Sequence, residues 1–362
     1  MLTQPKRILI TGAGGTPSSN FVRSLRETPR PNYLIGVDCN PYYLQRAETD
    51  EKHLVPRANE PDYLSVLQAI IQETGAELIY SQPDQEILVI SRHREDLGLR
   101  TFLPAHRSIE ICQDKFESYR LWQQAGLKVP ATWLISSESD LIQAFAQFGS
   151  PVWLRAINSP GGGKGSFAAQ NIGTARTWID FCQGWGRFTA AECLAPESTT
   201  WTSLWREGEL IVAQGRKRLY WEFSDRAPSG VTGITGTGVT ISDPLVDETA
   251  LKAIQAIDPC PHGIFAVDLT YDKGGVPNPT EINIGRFFTT HWFFTRAGLN
   301  LPDLFVRLAF GEPLPALPKK INPLPPDLAW IRGMDFAPVL TTVSAIEDSI
   351  QAFQQRRLRL VA

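Results

Sequence analysis

GIFAVDLTYDKGGVPNPTEINIGR, residues 263–286, describes two strands and the turn between them. Ile264 to Tyr271 is apolar with isolated polar positions, Asp272-Lys273-Gly274-Gly275 is turn chemistry, and Thr280 to Ile284 resumes the alternation. A hairpin centred between Gly274 and Gly275 sets Asp268 opposite Glu281, and Asn283, two residues on, shares the face of Glu281. Two carboxylates and an amide oxygen then converge, with Arg286 close behind. Facing carboxylates repel unless cations sit between them, and a hard divalent cation holding phosphates is the natural partner for such oxygens. An ordinary polar hairpin face is the competing reading.

Outward from this hairpin, the chain has 362 residues, 43% hydrophobic and 20% charged, with a formal charge of -3. These values describe a globular protein of two or three domains, without the basic footprint that nucleic acid or an anionic membrane requires. MLTQPKRILITGAGG breaks into glycines after a short apolar run, which reads as a first strand and not as a signal peptide. No apolar run approaches membrane-spanning length. Five cysteines, Cys39, Cys112, Cys182, Cys193 and Cys260, lack C-x-x-C spacing, arguing for a reducing compartment and against structural zinc. A cytoplasmic protein is expected.

RILITGAGG followed by a helix from Ser18 to about Glu27, then YLIGVDCN, has the order of a Rossmann-type βαβ unit. The glycine turn is either an anion site or a tight connection without a ligand. A helix over 61–74, strand 76–82, the acidic Asp84-Gln85-Glu86 and strand 100–104 extend an open parallel sheet to about residue 105, with Gly12–Ser18 and Gln82–Glu86 at the carboxyl ends of its strands. RSIEICQDKFESYRLWQQAG reads as one helix closing at Gly126. Strand 150–157 carries Arg155 into the glycine-rich loop SPGGGKGS, whose Gly161, Gly162, Gly163, Lys164, Gly165 and Ser166 can cover a polyphosphate through backbone amides. Residues 199–223 form a hairpin turning at Glu207-Gly208; Arg216 and Arg218 share a face, either solvated or serving phosphate. His291 and Trp292 are either pocket-lining or core. A Pro-rich stretch, 313–326, and a helix over about 344–356 end the chain.

Taken in order, RILITGAGG, DKFESYRLWQQAGLKVP, PVWLRAINSPGGGKGS, AECLAPES and FAVDLTYDKGGVPNPTEINIGRF resemble the ATP-grasp superfamily. The closest likeness is to single-unit relatives of the carbamoyl-phosphate synthase large chain and of carboxylate–amine ligases, over about residues 5–312. The resemblance implies an α/β protein of α+β grasp type. Its parts would be a Rossmann-like pre-ATP-grasp domain (1–105), a small lobe with the phosphate loop (106–190), a large lobe with the metal site (191–312), and a C-terminal wrap and helix (313–362). It implies ATP and Mg²⁺ as cofactors, with Mn²⁺ as a substitute. Lys115 and Arg155 would touch the nucleotide phosphates under the 161–166 loop, and Glu192, Cys193 and Leu194 would line the adenine. Asp268, Glu281 and Asn283 would hold metal, and Arg286 with Arg218 would hold the transferred phosphoryl group. The ribose carboxylate of the family aligns with Ser198; Glu197, one residue earlier, is the candidate for that cofactor-binding role, although a shift by one turns a strand side chain to the other face. Many members carry lysine at the position of Arg155, and EINIGR has one residue more before its arginine than the commoner E-x-N-x-R.

The activity so implied joins a small carboxylate to an amine through an acyl phosphate, giving ADP and phosphate. Alternatives are phosphorylation of bicarbonate or carbamate, and a non-catalytic ATP-binding relative. A nicotinamide oxidoreductase built on TGAGG needs a Tyr-x-x-x-Lys pair, which the chain lacks. Small-molecule substrates, no nucleic acid or membrane partner, and a homodimer by family analogy complete the expectation.

Overall fold

The computed structural model describes residues 4–158, 165–227, 229–231, 234–333 and 342–361. Three sheets organise the chain. The first is β3-β2-β1-β4-β5, from β1 (Lys6–Thr11), β2 (Asn32–Asp38), β3 (Glu51–Leu54), β4 (Leu78–Tyr80) and β5 (Arg100–Thr101), every pair parallel. The second, β6-β9-β7-β8, comprises β6 (Thr132–Ile135), β7 (Val152–Ala156), β8 (Phe167–Ala169) and β9 (Phe188–Glu192), all antiparallel. The third, β14-β13-β10-β11-β12-β15, is built from β10 (Ser198–Arg206), β11 (Glu209–Trp221), β12 (Thr235–Ile241), β13 (Gly263–Tyr271), β14 (Pro277–Ile284) and β15 (Ala329–Ile331), again antiparallel.

Apolar residues on both faces of β1 explain why the first sheet is covered on both sides. Ile8 and Ile10 pack with Phe21 and Val22 of helix Thr16–Arg26. Leu9, pointing the other way, packs with Val66, Leu67 and Ile70 of helix Tyr63–Thr74. The same two cores run on into the third sheet, one through Phe265, Val267, Ile282 and Ile284 and the other through Leu204, Val212 and Ile264. The first and third sheets are thus welded together. The second sheet keeps its own core of Ile135, Leu141, Val152, Leu154 and Phe188.

Two local expectations are corrected. The single helix expected to close at Gly126 is two helices, His106–Gln113 and Lys115–Gln124. Asp114 ends the first and caps the second, its Oδ1 accepting from the amides of Phe116 and Glu117 at 3.0 and 2.9 Å. An Asp that can bond its own downstream amides competes with continued helix, and the break sets Lys115 at a helix start. In the hairpin of residues 263–286 the register Asp268↔Glu281 is as expected, but nearer the turn it slips to Leu269↔Pro279. Thr280 is therefore bulged out of the ladder.

The C-terminal segment is an integral layer. The Ala213 amide donates to the Lys320 carbonyl and the Asn322 amide to the Ala213 carbonyl, both at 2.8 Å, and helix Val343–Val361 ties to the first domain through Arg356–Glu73 and Arg357–Asp62, each at 2.5 Å. Among the described residues no helix is long and apolar enough to cross a membrane.

Candidate active site

A cleft of about 1100 Å³ opens where the three sheets meet. Its floor follows from strand pairing. Arg216 on β11 lies opposite Thr200 on β10, Thr200 opposite Asp268 on β13, and Asp268 opposite Glu281 on β14. Directly opposed residues project on one face, so four neighbouring strands deliver a continuous polar row. The row is joined by hydrogen bonds: Arg216 donates to Thr200 Oγ1 at 2.8 Å, Thr200 donates to Asp268 Oδ1 at 2.5 Å, and Asn283 Nδ2 donates to Asp268 Oδ2 at 2.9 Å.

Glu281 meets the second sheet. Arg155 on β7 forms an ion pair with its Oε2 and donates to the Thr280 carbonyl at 2.8 Å, the carbonyl that the bulge turns outward. Lys115 Nζ lies 3.5 Å from Glu281 Oε1. Burial alone would raise the Glu281 carboxyl; the charges of Arg155, Lys115 and Arg286 overcome this and hold it at about 2. Burial lowers Lys115, a tendency that Glu281 opposes. These cations thus converge on the metal-type carboxylate, across the seam between the second and third sheets.

Arg286 is clamped from the first domain. Its Nε and an Nη reach Asp84 Oδ1 and Oδ2 at 2.6 and 3.3 Å, and the same Nη donates to Asn283 Oδ1 at 2.7 Å. Arg218 donates to Thr235 Oγ1 at 3.0 Å and to Ser198, with its guanidinium 3.5 Å above the Trp221 ring. Arg216 is 1% exposed; Thr200, Thr235 and Thr290 hydroxyls accept from its guanidinium, and among the described residues no carboxylate is bonded to it and its Nε has no partner. Burial pulls Arg216 down to about 9, with Arg218 adding to the fall, and pulls Arg218 down to about 10. Both stay protonated at neutral pH, so around the third sheet Lys115, Arg155, Arg216, Arg218 and Arg286 outnumber Asp268, Glu281 and Glu192, while Asp38, Asp84 and Glu86 line the first-domain end with Arg57. A polyphosphate suits that imbalance.

Glu192, Cys193 and Leu194 line the cleft, with Glu192 Oε1 accepting from the Ala131 amide at 3.2 Å. Ser166 is buried on its wall. Gly165 has φ +76°, and a Cβ there would come within 2.9 Å of Ala156 Cβ. Gly161, Gly162, Gly163 and Lys164 lie outside the described residues. Glu197 is off the cleft: it pairs with Lys217 at 3.0 Å on the far side, whereas Ser198, next along the alternating strand, lines the cleft. The ribose role raised for Glu197 is corrected accordingly. His291 is core, wholly buried against Phe287 and Phe288, and Trp292 donates to Glu27 outside the cleft.

The glycine turn of the first domain is spent internally. The amides of Ala13, Gly14 and Gly15 donate to Val37 O, Asp38 Oδ2 and Gly12 O. A Cβ on Gly14 would stand 1.9 Å from Tyr43 O. This is a tight connection, resolving the two readings of GAGG. Sequence reasoning singled out Arg216 and Glu86 only as members of a basic pair and an acidic cluster; their burial inside the cleft depends on contacts distant in the chain. The shared face of Arg216 and Arg218 was the one available signal.

The oxygen set fits a hard divalent cation. Asp268, Glu281 and Asn283 supply two carboxylates and an amide, and among the described residues no group of three or more His, Cys, Asp or Glu is assembled for a metal. Mg²⁺ takes one or two carboxylates and draws its remaining ligands from phosphates and water.

Residues 8–100 match the family described as PylC-like, N-terminal domain. No curated protein matches the chain by sequence. Among solved structures it is similar to a biotin carboxylase–β,γ-ATP complex from Campylobacter jejuni (TM-score 0.66, 18% identity, 86% of this chain and 72% of that one). It is similar also to an L-amino acid ligase from Bacillus licheniformis (0.65, 12%, 84% and 74%) and to a carboxyaminoimidazole ribonucleotide synthase from Aspergillus clavatus complexed with ATP (0.65, 15%, 86% and 78%). The chain has the ATP-grasp fold.

Proposed function

We propose that this protein is an ATP-dependent ligase that joins a small, amino-acid-like carboxylate to an amine through an acyl phosphate. The observation that carries the proposal is the row Arg216–Thr200–Asp268–Glu281 with Asn283, set against Lys115, Arg155 and Arg286 in one cleft. ATP is the nucleotide, with Mg²⁺, or Mn²⁺ in its place, held by Asp268, Glu281 and Asn283. The cation supplies charge neutralisation on the phosphates.

Lys115 and Arg155 exchange part of their hold on Glu281 for the α- and β-phosphates, with Ser166 on the wall beside them. Glu192 to Leu194 line the adenine. Arg216 and Arg218 steady the transferring phosphoryl group and the substrate carboxylate, with Arg286 braced by Asp84 alongside. A carboxylate oxygen bonds to the γ-phosphorus as the bond to the β-phosphate oxygen breaks and ADP leaves. Amine nitrogen then bonds to the acyl carbon, the carbon–oxygen bond to phosphate breaks, and nitrogen loses a proton. Positioned charges suffice for the first step; no side-chain nucleophile is needed.

Support also comes from similar structures named as a ligase, a synthase and carboxylases, of which the synthase and the carboxylases are complexes with ATP, β,γ-ATP or MgADP. One of them, a biotin carboxylase domain dimer, holds bicarbonate, and two adjacent buried arginines suit so small an anion, so bicarbonate phosphorylation is the second reading. A homodimer is part of the proposal by the same analogy. The test is ADP and phosphate release from MgATP with amino acids, other small carboxylates and amines, singly and in pairs. Release requiring both partners supports the ligase, release with bicarbonate alone supports the second reading, and release indifferent to any carboxylate refutes both.

A further inference from the structure

Strict alternation along β11 would set Arg216, Arg218 and Tyr220 on one face, with Leu219 and Trp221 on the other. The strand departs from this after Arg218. Arg218 pairs with Gly238, Tyr220 with Thr237 and Trp221 with Thr235, so Leu219 has no partner on β12 and Gly236 none on β11. The bulge at Leu219 leaves both Leu219 and Tyr220 exposed and returns Trp221 to the cleft wall beside Arg218. Gly236 permits this, since a Cβ there would stand 2.0 Å from Tyr220 Cε2. One extra residue on each strand thus brings an indole into the cleft.

What Trp221 meets there is a guanidinium without a bonded counter-ion. Arg218 Nε donates to Thr235 Oγ1 at 3.0 Å and Nη1 donates to Ser198, while Nη2 has no acceptor among the described residues. Arg216 Nη1 uses the same Thr235 hydroxyl at 3.1 Å. Two like charges therefore share one neutral acceptor, and among the described residues neither is bonded to a carboxylate. Each lies instead on an aromatic face. The Arg216 guanidinium is 4.7 Å from the centre of the Phe288 ring, and that of Arg218 is 3.5 Å from the centre of Trp221. A ring face attracts a cation most where water is excluded, and a stacked guanidinium keeps its N–H edge open to an oxyanion in its plane. Without the indole, Arg218 would be held by two neutral hydroxyls and repelled by Arg216.

We propose that Trp221 is a positioning residue for phosphoryl transfer: its indole face fixes the Arg218 guanidinium so that the Nη2 edge meets the terminal phosphate of the nucleotide. This rests on the ligase reading and deepens it, adding a residue of the site that strand alternation alone would turn away from the cleft. Trp221 touches no reacting atom in this role. It acts through Arg218, and its effect should disappear when Arg218 is gone.

The experiment is isothermal titration of the full chain, in Mg²⁺, with ADP and with β,γ-methylene-ATP. The ratio of the two affinities reads what the terminal phosphate gains, and wild type is expected to prefer the analogue. Trp221→Leu should lower that preference about tenfold and leave ADP within about twofold of wild type, while Trp221→Phe, which keeps an aromatic face, should restore most of it. In an Arg218→Met background Trp221→Leu should change the ratio no further, because a residue acting through Arg218 is not additive with its loss. A merely structural role would weaken both nucleotides together and persist without Arg218. Equal affinity of wild type for the two nucleotides, an unchanged ratio in Trp221→Leu, no recovery in Trp221→Phe, or additive effects would overturn the assignment. Should Trp221→Leu fail to fold, the ¹⁵N-arginine spectrum of wild type decides. The Arg218 Nε–H signal, assigned by its loss in Arg218→Met, is expected to be displaced by the indole ring current, and an undisplaced signal would overturn the assignment. Binding needs no turnover, so failure of the ligase reading shows separately, as a terminal-phosphate preference with no carboxylate-dependent phosphate release.

Discussion

Replacing Glu86 by glutamine is expected to stabilise the first domain, and to do so more as pH rises. Burial moves this carboxyl from 4.5 to about 8, and at 5% exposure solvent does little to relieve it. The sign follows from proton binding. Between the two values the folded state holds a proton that the unfolded state has lost, so wild-type stability falls as pH rises through that window and levels off above about 8. The full loss is on the order of 5 kcal/mol, since one pKa unit is worth about 1.4 kcal/mol. Glutamine keeps the shape and removes the titration. Urea unfolding of wild type and Glu86→Gln at pH 5.5 and 7.5 should show the variant's advantage growing by about 2–3 kcal/mol across that interval. Other titrating groups are common to both proteins and cancel in the difference. Parallel pH profiles would refute the reasoning, because they would mean that Glu86 ionises as freely folded as unfolded.

Arg216→Met keeps much of the volume and removes a buried charge without a bonded carboxylate. Carboxylate-dependent ADP release should fall by at least about 10²-fold, as for loss of a preorganised transition-state donor. Glu281→Ala strips the carboxylate shared by Arg155 and Lys115; turnover should vanish, and unfolding should lose roughly 3–5 kcal/mol, the cost of uncompensated buried cations. Gly14→Ala must drive a methyl into the Tyr43 carbonyl, so the variant is expected to lose more than about 3 kcal/mol, read as failure of the first domain to resist proteolysis.

Much of the floor was legible because hairpins are local. Turn chemistry at 272–275 fixed the pairing of Asp268 with Glu281, and strand alternation carried Asn283 with them. The bulge at Thr280 was hidden, since it depends on Arg155 from another sheet receiving the freed carbonyl. Asp114 looked like a mid-helix residue until its caps were seen, because capping competes with propagation in a way that apolar spacing does not register. Glu197 sits one position from the cleft-lining Ser198, and in a strand one position is the opposite face. Arg286 clamps Asp84, some two hundred residues earlier, and Glu86 is buried beside Thr11 and Asp38 from the first two strands. No local pattern encodes such burial.

The central claim is that a substrate carboxylate takes phosphoryl from ATP before nitrogen arrives. The most direct measurement is oxygen tracing: the active carboxylate labelled with ¹⁸O in both oxygens, turned over with MgATP and the amine, and the released phosphate analysed by mass. One labelled oxygen in each phosphate, with ADP formed in equal amount, is the predicted result. Unlabelled phosphate would contradict the account, since it would mean that water, and not the carboxylate, receives the phosphoryl group.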